Sequence, residues 1–322
     1  MEQIPDIYTI QEAAKRIKPF IHKTPVLSSE LINKRVNAEI YFKCENLQKG
    51  GAFKFRGATN ALFSLTDEEI VNGVCTHSSG NHAGALAKAA MIRNTKAHIV
   101  MPENSSRVKI EAVKNYQGEI TFCKPNLESR EKTLLEVMKR TGAMEVHPYN
   151  DYRIISGQAT AAKELIEETG NFDVMMAPVG GGGLLSGTAL STFYLSPSTK
   201  VIAGEPKGAD DAFRSYYGGE LVPSLNPSTI ADGLLTSLGS LTYPIIQKYV
   251  HGIVTASENA ILEAMKLVWE RMKIIIEPSS AVPLAAILEN VSDFADKKIG
   301  IIISGGNVDL DRIPWINSGY LK

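Results

Sequence analysis

The chain has 322 residues, of which 44% are hydrophobic and 21% charged; these proportions exclude a disordered, fibrous or membrane-embedded protein, and the length leaves room for two lobes or one large α/β body. With 34 basic and 35 acidic residues the formal net charge is −1, so no global field draws nucleic acid or an anionic membrane, and a small molecule is the expected partner. Cys44, Cys75 and Cys123 are odd in number and widely separated, which argues against a disulfide framework or zinc site, and with no secretory leader or ~18-residue apolar run the chain is expected in the cytoplasm.

The first element is signalled by Thr9-Ile10-Gln11-Glu12, which reads as a capping box opening a helix through Ile17, the hydroxyl and the carboxylate each satisfying an orphan backbone donor. Short apolar runs of strand length and β-branched content then recur at 39–42, 74–77, 97–101, 120–123, 174–179, 201–203 and 299–303. Between them, helical spacing of apolar residues appears at 83–92, 108–116, 130–140, 159–169 and 259–272. Strand and helix in alternation predict a mainly parallel, doubly wound sheet with helices on both faces. Three of the strands run directly into Ser/Gly-rich segments, at 78–80, 180–183 and 304–306. Ligands of such sheets bind outside the carboxyl ends of the strands, so the three turns suggest one crevice.

Three segments carry chemistry. In Gly50-Gly51-Ala52-Phe53-Lys54-Phe55-Arg56-Gly57-Ala58 a lysine sits between two phenylalanines. A lysine is ordinarily a solvated surface residue, but these neighbours would desolvate its ammonium and lower its pKa, as a Schiff-base lysine requires. In Ser78-Ser79-Gly80-Asn81-His82-Ala83 polar residues open a helix, and unpaired N–H groups with Ser and Asn side chains suit a carboxylate; helix capping is the plainer alternative, and His82 alone reads more readily as structural. Gly180, Gly181, Gly182 and Gly183 follow a buried strand. Without Cβ atoms they let backbone N–H groups approach a phosphate, although a flexible turn has the same composition. The run is neither a dinucleotide fingerprint nor a Walker loop, which favours a phosphate of mononucleotide size such as that of pyridoxal phosphate.

With these segments, the sequence resembles the fold type II pyridoxal-phosphate enzymes, in the branch of serine racemases and serine/threonine dehydratases. The resemblance spans essentially the whole chain through Lys43-Cys44-Glu45-Asn46-Leu47-Gln48, Ala52-Phe53-Lys54-Phe55-Arg56-Gly57, Ser78-Ser79-Gly80-Asn81-His82, the four glycines, Glu277-Pro278-Ser279-Ser280 and Ser304-Gly305-Gly306-Asn307. It implies pyridoxal 5'-phosphate on Lys54, its phosphate on Gly180 to Gly183, its phenolic oxygen near Asn81, its ring beside Phe53 and its pyridine nitrogen on the Ser304 hydroxyl. A hydroxyl stabilises a pyridinium less than a carboxylate does, so a largely neutral ring is expected. The same resemblance assigns the substrate carboxylate to Ser78, Asn81 and His82. It adds Arg130, which is equally explicable as a surface residue of its helix. It also assigns a Mg²⁺ or Ca²⁺ ion to Glu205, Asp211 and the Ala209 carbonyl, oxygen ligands that suit hard cations. Ser280 departs from the glycine or alanine usual in the motif.

The resemblance further implies a large lobe of residues 1–73 and 149–322 around a small lobe of 74–148, and a homodimer. Racemases of this branch place a serine before Gly-Asn-His, here Ser79, and no regulatory domain is expected after Leu310. The implied activity is interconversion of L- and D-serine, Lys54 and Ser79 serving opposite faces of Cα, with side elimination to pyruvate and ammonia. A dehydratase of L-threo-3-hydroxyaspartate, or of L-serine and L-threonine, is the alternative, because hydroxyaspartate dehydratases share that serine. A non-catalytic amino-acid-binding protein would not need Lys54, and a nicotinamide oxidoreductase would need fingerprint glycines that are missing.

Overall fold

A computed structural model describes residues 3–313 and 315. Its strands are β1 (Val26–Leu27), β2 (Glu39–Cys44), β3 (Val74–His77), β4 (Ala97–Pro102), β5 (Glu119–Cys123), β6 (Met144–Glu145), β7 (Val174–Pro178), β8 (Lys200–Pro206), β9 (Gly252–Ala256) and β10 (Lys298–Ile303). They form a six-stranded sheet in the order β1-β2-β10-β7-β8-β9 and a four-stranded sheet in the order β5-β4-β3-β6. Every pairing is parallel except β1 with β2.

Both sheets are buried on both faces, which is why their strands read as continuous apolar runs. Successive side chains point to opposite sides. Ile299, Ile301 and Ile303 of β10 join a core with Ile261, Met265 and Val282, whereas Ile302 joins the opposite core with Leu165, Leu185 and Ala189. In the smaller sheet Val74, Ile99 and Met101 face one core and Cys75 and Val100 the other. Phe55, Ala58 and Leu62, from helix Lys54–Phe63, and Ile154, from helix Tyr152–Thr169, complete the first of these small cores. Helix Lys54–Phe63 is thus the seam between the sheets.

The three helices that meet at this seam approach closely through glycine. A Cβ on Gly157 would lie 2.6 Å from the Gly57 Cα, and one on Gly187, in helix Gly183–Leu195, 2.6 Å from the Ala159 nitrogen. Beside them Arg56, fully buried, joins Glu45 at 2.7 Å and Glu164 at 2.7 Å, and the buried Lys43 also reaches Glu164 at 2.7 Å. Two cations thus meet two carboxylates in the interior.

The first helix starts earlier than its supposed capping box. It spans Ile7–Ile17, and the Asp6 carboxylate caps it, accepting from the Thr9 N–H at 2.8 Å and the Thr9 hydroxyl at 2.7 Å. A carboxylate also interacts favourably with the positive helix end, so Asp6 wins over Thr9.

Candidate active site

β10 lies between β2 and β7, and the loops after these strands and after β8 and β3 converge at the carboxyl ends of the sheets. Residues 50–54 are pinned to 304–307: the Phe53 N–H donates to the Ser304 carbonyl at 2.9 Å, the Gly306 N–H to the Gly51 carbonyl at 2.9 Å and Asn307 Nδ2 to the Gly50 carbonyl at 2.7 Å. Phe53 and Ser304, distant in sequence, are thereby neighbours.

Lys54 is the first residue of helix Lys54–Phe63, and its side chain is half-buried. Its Nζ donates to the Pro148 carbonyl at 2.7 Å and stands 5.2 Å from the centre of the Phe53 ring. Desolvation brings its pKa down to about 8, with the Glu277 carboxylate pulling the other way. The amine is therefore available as a nucleophile and a base near neutral pH.

Ser78, Ser79 and Gly80 form the turn from β3 into helix Asn81–Ile92, and the Ser78 hydroxyl accepts from the Gly80 N–H at 3.2 Å. Ser79 is half-buried. The Asn81 amide donates to Glu277 at 2.8 Å and accepts from Asn307 at 3.0 Å, which fixes its orientation and leaves one amide hydrogen free. Glu277, buried behind it, has its pKa pushed up to about 7 by burial, against the pull of Lys109, and its Oε2 has no partner. His82 is buried with Nε2 3.1 Å from the Val146 carbonyl and Nδ1 unpartnered. That contact makes Nε2 the donor, and burial with the nearby Lys54 charge holds the ring well below its ordinary pKa. The neutral imidazole thus offers a lone pair rather than a hydrogen at Nδ1, so a carboxylate here would be met by backbone N–H groups of the turn.

Gly180 to Gly183 run from the end of β7 into helix Gly183–Leu195, whose first-turn N–H groups have no intrahelical acceptor. Gly182 has φ +87°, and a Cβ on Gly181 would lie 2.4 Å from the Tyr149 ring. Only glycine fits this closed cradle. One strand over, Glu205 at the end of β8 accepts from the Ala212 and Phe213 N–H groups at 2.8 and 2.7 Å, beside the buried Ala209 and Asp211. Burial raises Glu205 to about 8 and Asp211 to about 6, and Asp211 Oδ2 has no partner. The unpartnered Oδ2 of Asp211, buried beside Glu205, fits a hard cation. Among the described residues no group of three or more His, Cys, Asp or Glu side chains could hold an ion, so carbonyls and water would complete the shell.

Arg130, on helix Leu127–Thr141, is half-buried rather than a solvated surface residue, and its Nε is buried without a partner. Burial and the Arg130 charge lower His77, whose ring stands 6.1 Å from that of His147.

The segment His147-Pro148-Tyr149-Asn150 was not foreseen, yet it joins these parts. It supplies the carbonyl for Lys54 and the ring over the glycine cradle, and Asn150 accepts from the Leu241 N–H at 2.7 Å. Its sequence signal is a proline among polar residues just after β6, which marks a turn but not its neighbours. Lys109, which pairs with Asp232 and acts on Glu277, was likewise missed.

A glycine cradle closed to any Cβ, an amine near pKa 8, a phenylalanine beside it and a buried Ser304 hydroxyl together fit a phosphorylated pyridine aldehyde. Comparison with known proteins agrees. The profile described as "Pyridoxal-phosphate dependent enzyme" matches residues 17–305. The serine racemase of Dictyostelium discoideum is 52% identical over 313 residues, 95% of this chain and 96% of that protein. The beta-hydroxyaspartate dehydratase of Paracoccus denitrificans (strain Pd 1222) is 50% identical over 312 residues, 97% of this chain and 99% of that protein. The structure of maize serine racemase superposes with a TM-score of 0.94 at 46% identity, covering 98% of this chain and 97% of that one.

Proposed function

Since this chain belongs to the pyridoxal-phosphate-dependent enzyme family, we propose that it interconverts L- and D-serine, with side elimination of serine to pyruvate and ammonia. The observation that carries the chemistry is Lys54, an amine brought down to about pKa 8 and bonded to Pro148, next to the Tyr149 ring that closes the glycine cradle; similarity to serine racemase over 95% of the chain supports the substrate. The cofactor, when bound to Lys54, Phe53, Asn81, Gly180 to Gly183 and Ser304, supplies a sink for the electrons left at the substrate α-carbon.

The chain's residues do the rest. N–H groups and hydroxyls of the turn 78–82 hold the substrate carboxylate, with the Ser78 and Asn81 side chains and the His82 backbone N–H orienting it. Lys54 takes the Cα proton on one face, and Ser79 returns a proton on the other. Loss of the β-hydroxyl before that return diverts the substrate to elimination.

One observation favours a second reading, dehydration of L-threo-3-hydroxyaspartate: the unpartnered Nε of Arg130 is a spare donor for another carboxylate, and a relative at 50% identity is a beta-hydroxyaspartate dehydratase. Chiral amino-acid analysis run alongside pyruvate and oxaloacetate assays, on L-serine, L-threonine and threo-3-hydroxyaspartate, tests both. D-serine from L-serine supports the racemase; oxaloacetate formation with no D-serine replaces it by the dehydratase; neither product removes both.

We also infer a Mg²⁺ or Ca²⁺ ion at Glu205, Asp211 and the Ala209 carbonyl, stabilising rather than catalytic. The lobes divide at residues 74–148, with helix Lys54–Phe63 as the seam. Two copies pair in solution, a reading supported by the aromatic patch of Phe193, Tyr194 and Tyr249, where Phe193 is 50% exposed; light scattering tests it. A reducing compartment such as the cytoplasm suits three buried free cysteines.

A further inference from the structure

Ser280 is the third residue of helix Pro278–Glu289 and is buried. Its Oγ is 2.9 Å from the Ser304 Oγ, donates to the Gly305 carbonyl at 2.6 Å and accepts from the Gly305 N–H at 2.7 Å. The Gly305 carbonyl accepts from the Glu277 N–H as well, at 3.0 Å. It therefore stays bonded whichever way Ser280 turns its proton.

The hydrogens can be counted. Ser280 has one proton and two acceptors for it, the Gly305 carbonyl and the Ser304 oxygen. With the proton on the carbonyl, which is the shorter contact, Ser280 accepts the proton of Ser304. Ser304 then has only lone pairs left to present. With the proton on Ser304 instead, Ser304 is free to donate its own. Without the Ser280 hydroxyl, a Ser304 that presents lone pairs must leave its proton buried and unpaired, which is costly. It would then be confined to donating.

We propose that Ser280 is a positioning residue for Ser304: by taking the Ser304 proton, it lets Ser304 accept from a protonated ring nitrogen of the cofactor, so that the ring is held in both forms rather than as the neutral form alone. This rests on the cofactor placement proposed above. It amends the expectation from Ser304 alone, that the ring is largely neutral.

The test is made on holoprotein reconstituted with pyridoxal phosphate carrying nitrogen-15 in the ring, reading the nitrogen chemical shift at neutral pH alongside thermal unfolding. Ser280→Ala should lower the ratio of protonated to neutral ring nitrogen about fivefold to tenfold, the size of one net hydrogen bond. Ser280→Thr, which keeps the hydroxyl, should restore the wild-type shift. Ser280→Gly reads the same quantity if the alanine variant does not fold. An unchanged shift in Ser280→Ala or Ser280→Gly overturns the proposal, as does a threonine variant that matches alanine. If the label never attaches to Lys54 in the wild-type protein, the cofactor placement fails instead.

Discussion

Lys54 and Ser79 differ in how their proton chemistry is prepared. With its pKa near 8, the fraction of Lys54 present as neutral amine rises about tenfold per pH unit well below that value and levels off above it. Attachment of pyridoxal phosphate to cofactor-free protein, followed by stopped-flow absorbance, should accelerate in the same way and flatten above pH 8. An unperturbed lysine would keep accelerating toward pH 10. Lys54→Ala should abolish attachment and lower turnover by roughly 10³-fold or more, since no other group forms the link. Borohydride reduction and mass spectrometry that placed the cofactor on a different lysine would sink the assignment. Ser79→Ala should reduce D-serine formation by about 10²–10⁴-fold, the usual worth of a positioned acid or base, and leave loss of water from L-serine largely intact, because elimination needs only the Lys54 face. Unimpaired D-serine formation by that variant would reduce Ser79 to a turn residue.

Helix Lys54–Phe63 owes its position to Arg56. The guanidinium spans Glu45 and Glu164 with no exposure, so Arg56→Met leaves two carboxylates buried without it and should cost about 3–5 kcal/mol. Urea unfolding of that variant and of the double variant with Glu45→Gln measures this; the double variant should recover part of the loss. The elements legible in the sequence were those with a period or a β-branched run: β2, β3, β4, β5, β7, β8 and β10 all lie where apolar runs predicted them. The two-residue strands β1 and β6 are too short to carry a pattern, and helix Pro278–Glu289, buried nearly all round, has no polar face to reveal its period. The site divides similarly. Lys54 and the four glycines stood out because their local composition is unusual. The Pro148 carbonyl, Tyr149, Glu277 and Ser280 acquire their roles only when separate chain segments are folded together, from 24 residues apart for Ser280 and Ser304 to 196 for Asn81 and Glu277, and no local pattern announces that.

The two sheets share one site, so what stabilises one part reaches the other. Glu205 and Asp211 stand one strand from the glycine cradle, and Asp211 Oδ2 is buried without a partner. Exhaustive chelation should lower melting temperature and activity together, by a few degrees for each ~1 kcal/mol lost, and added Mg²⁺ or Ca²⁺ should restore both. Unchanged melting and activity after chelation would leave the site dispensable. The bond from Lys54 to the Pro148 carbonyl has a further consequence. Joined to a cofactor, the nitrogen would keep at most one hydrogen, so its bond to that carbonyl would be weakened or lost. Pro148 therefore reports, through its own chain, whether the lysine is occupied. This bond ties the turn 147–150 to helix Lys54–Phe63; with the lysine occupied, the turn would be left to its other contacts, among them Asn150 with Leu241 and Ser240 and Tyr149 with the glycine run. Amide hydrogen exchange at His147, Tyr149 and Asn150 should accordingly be faster in the loaded protein than in the protein with a free Lys54 amine, the reverse of the protection that ligand binding ordinarily brings to a site.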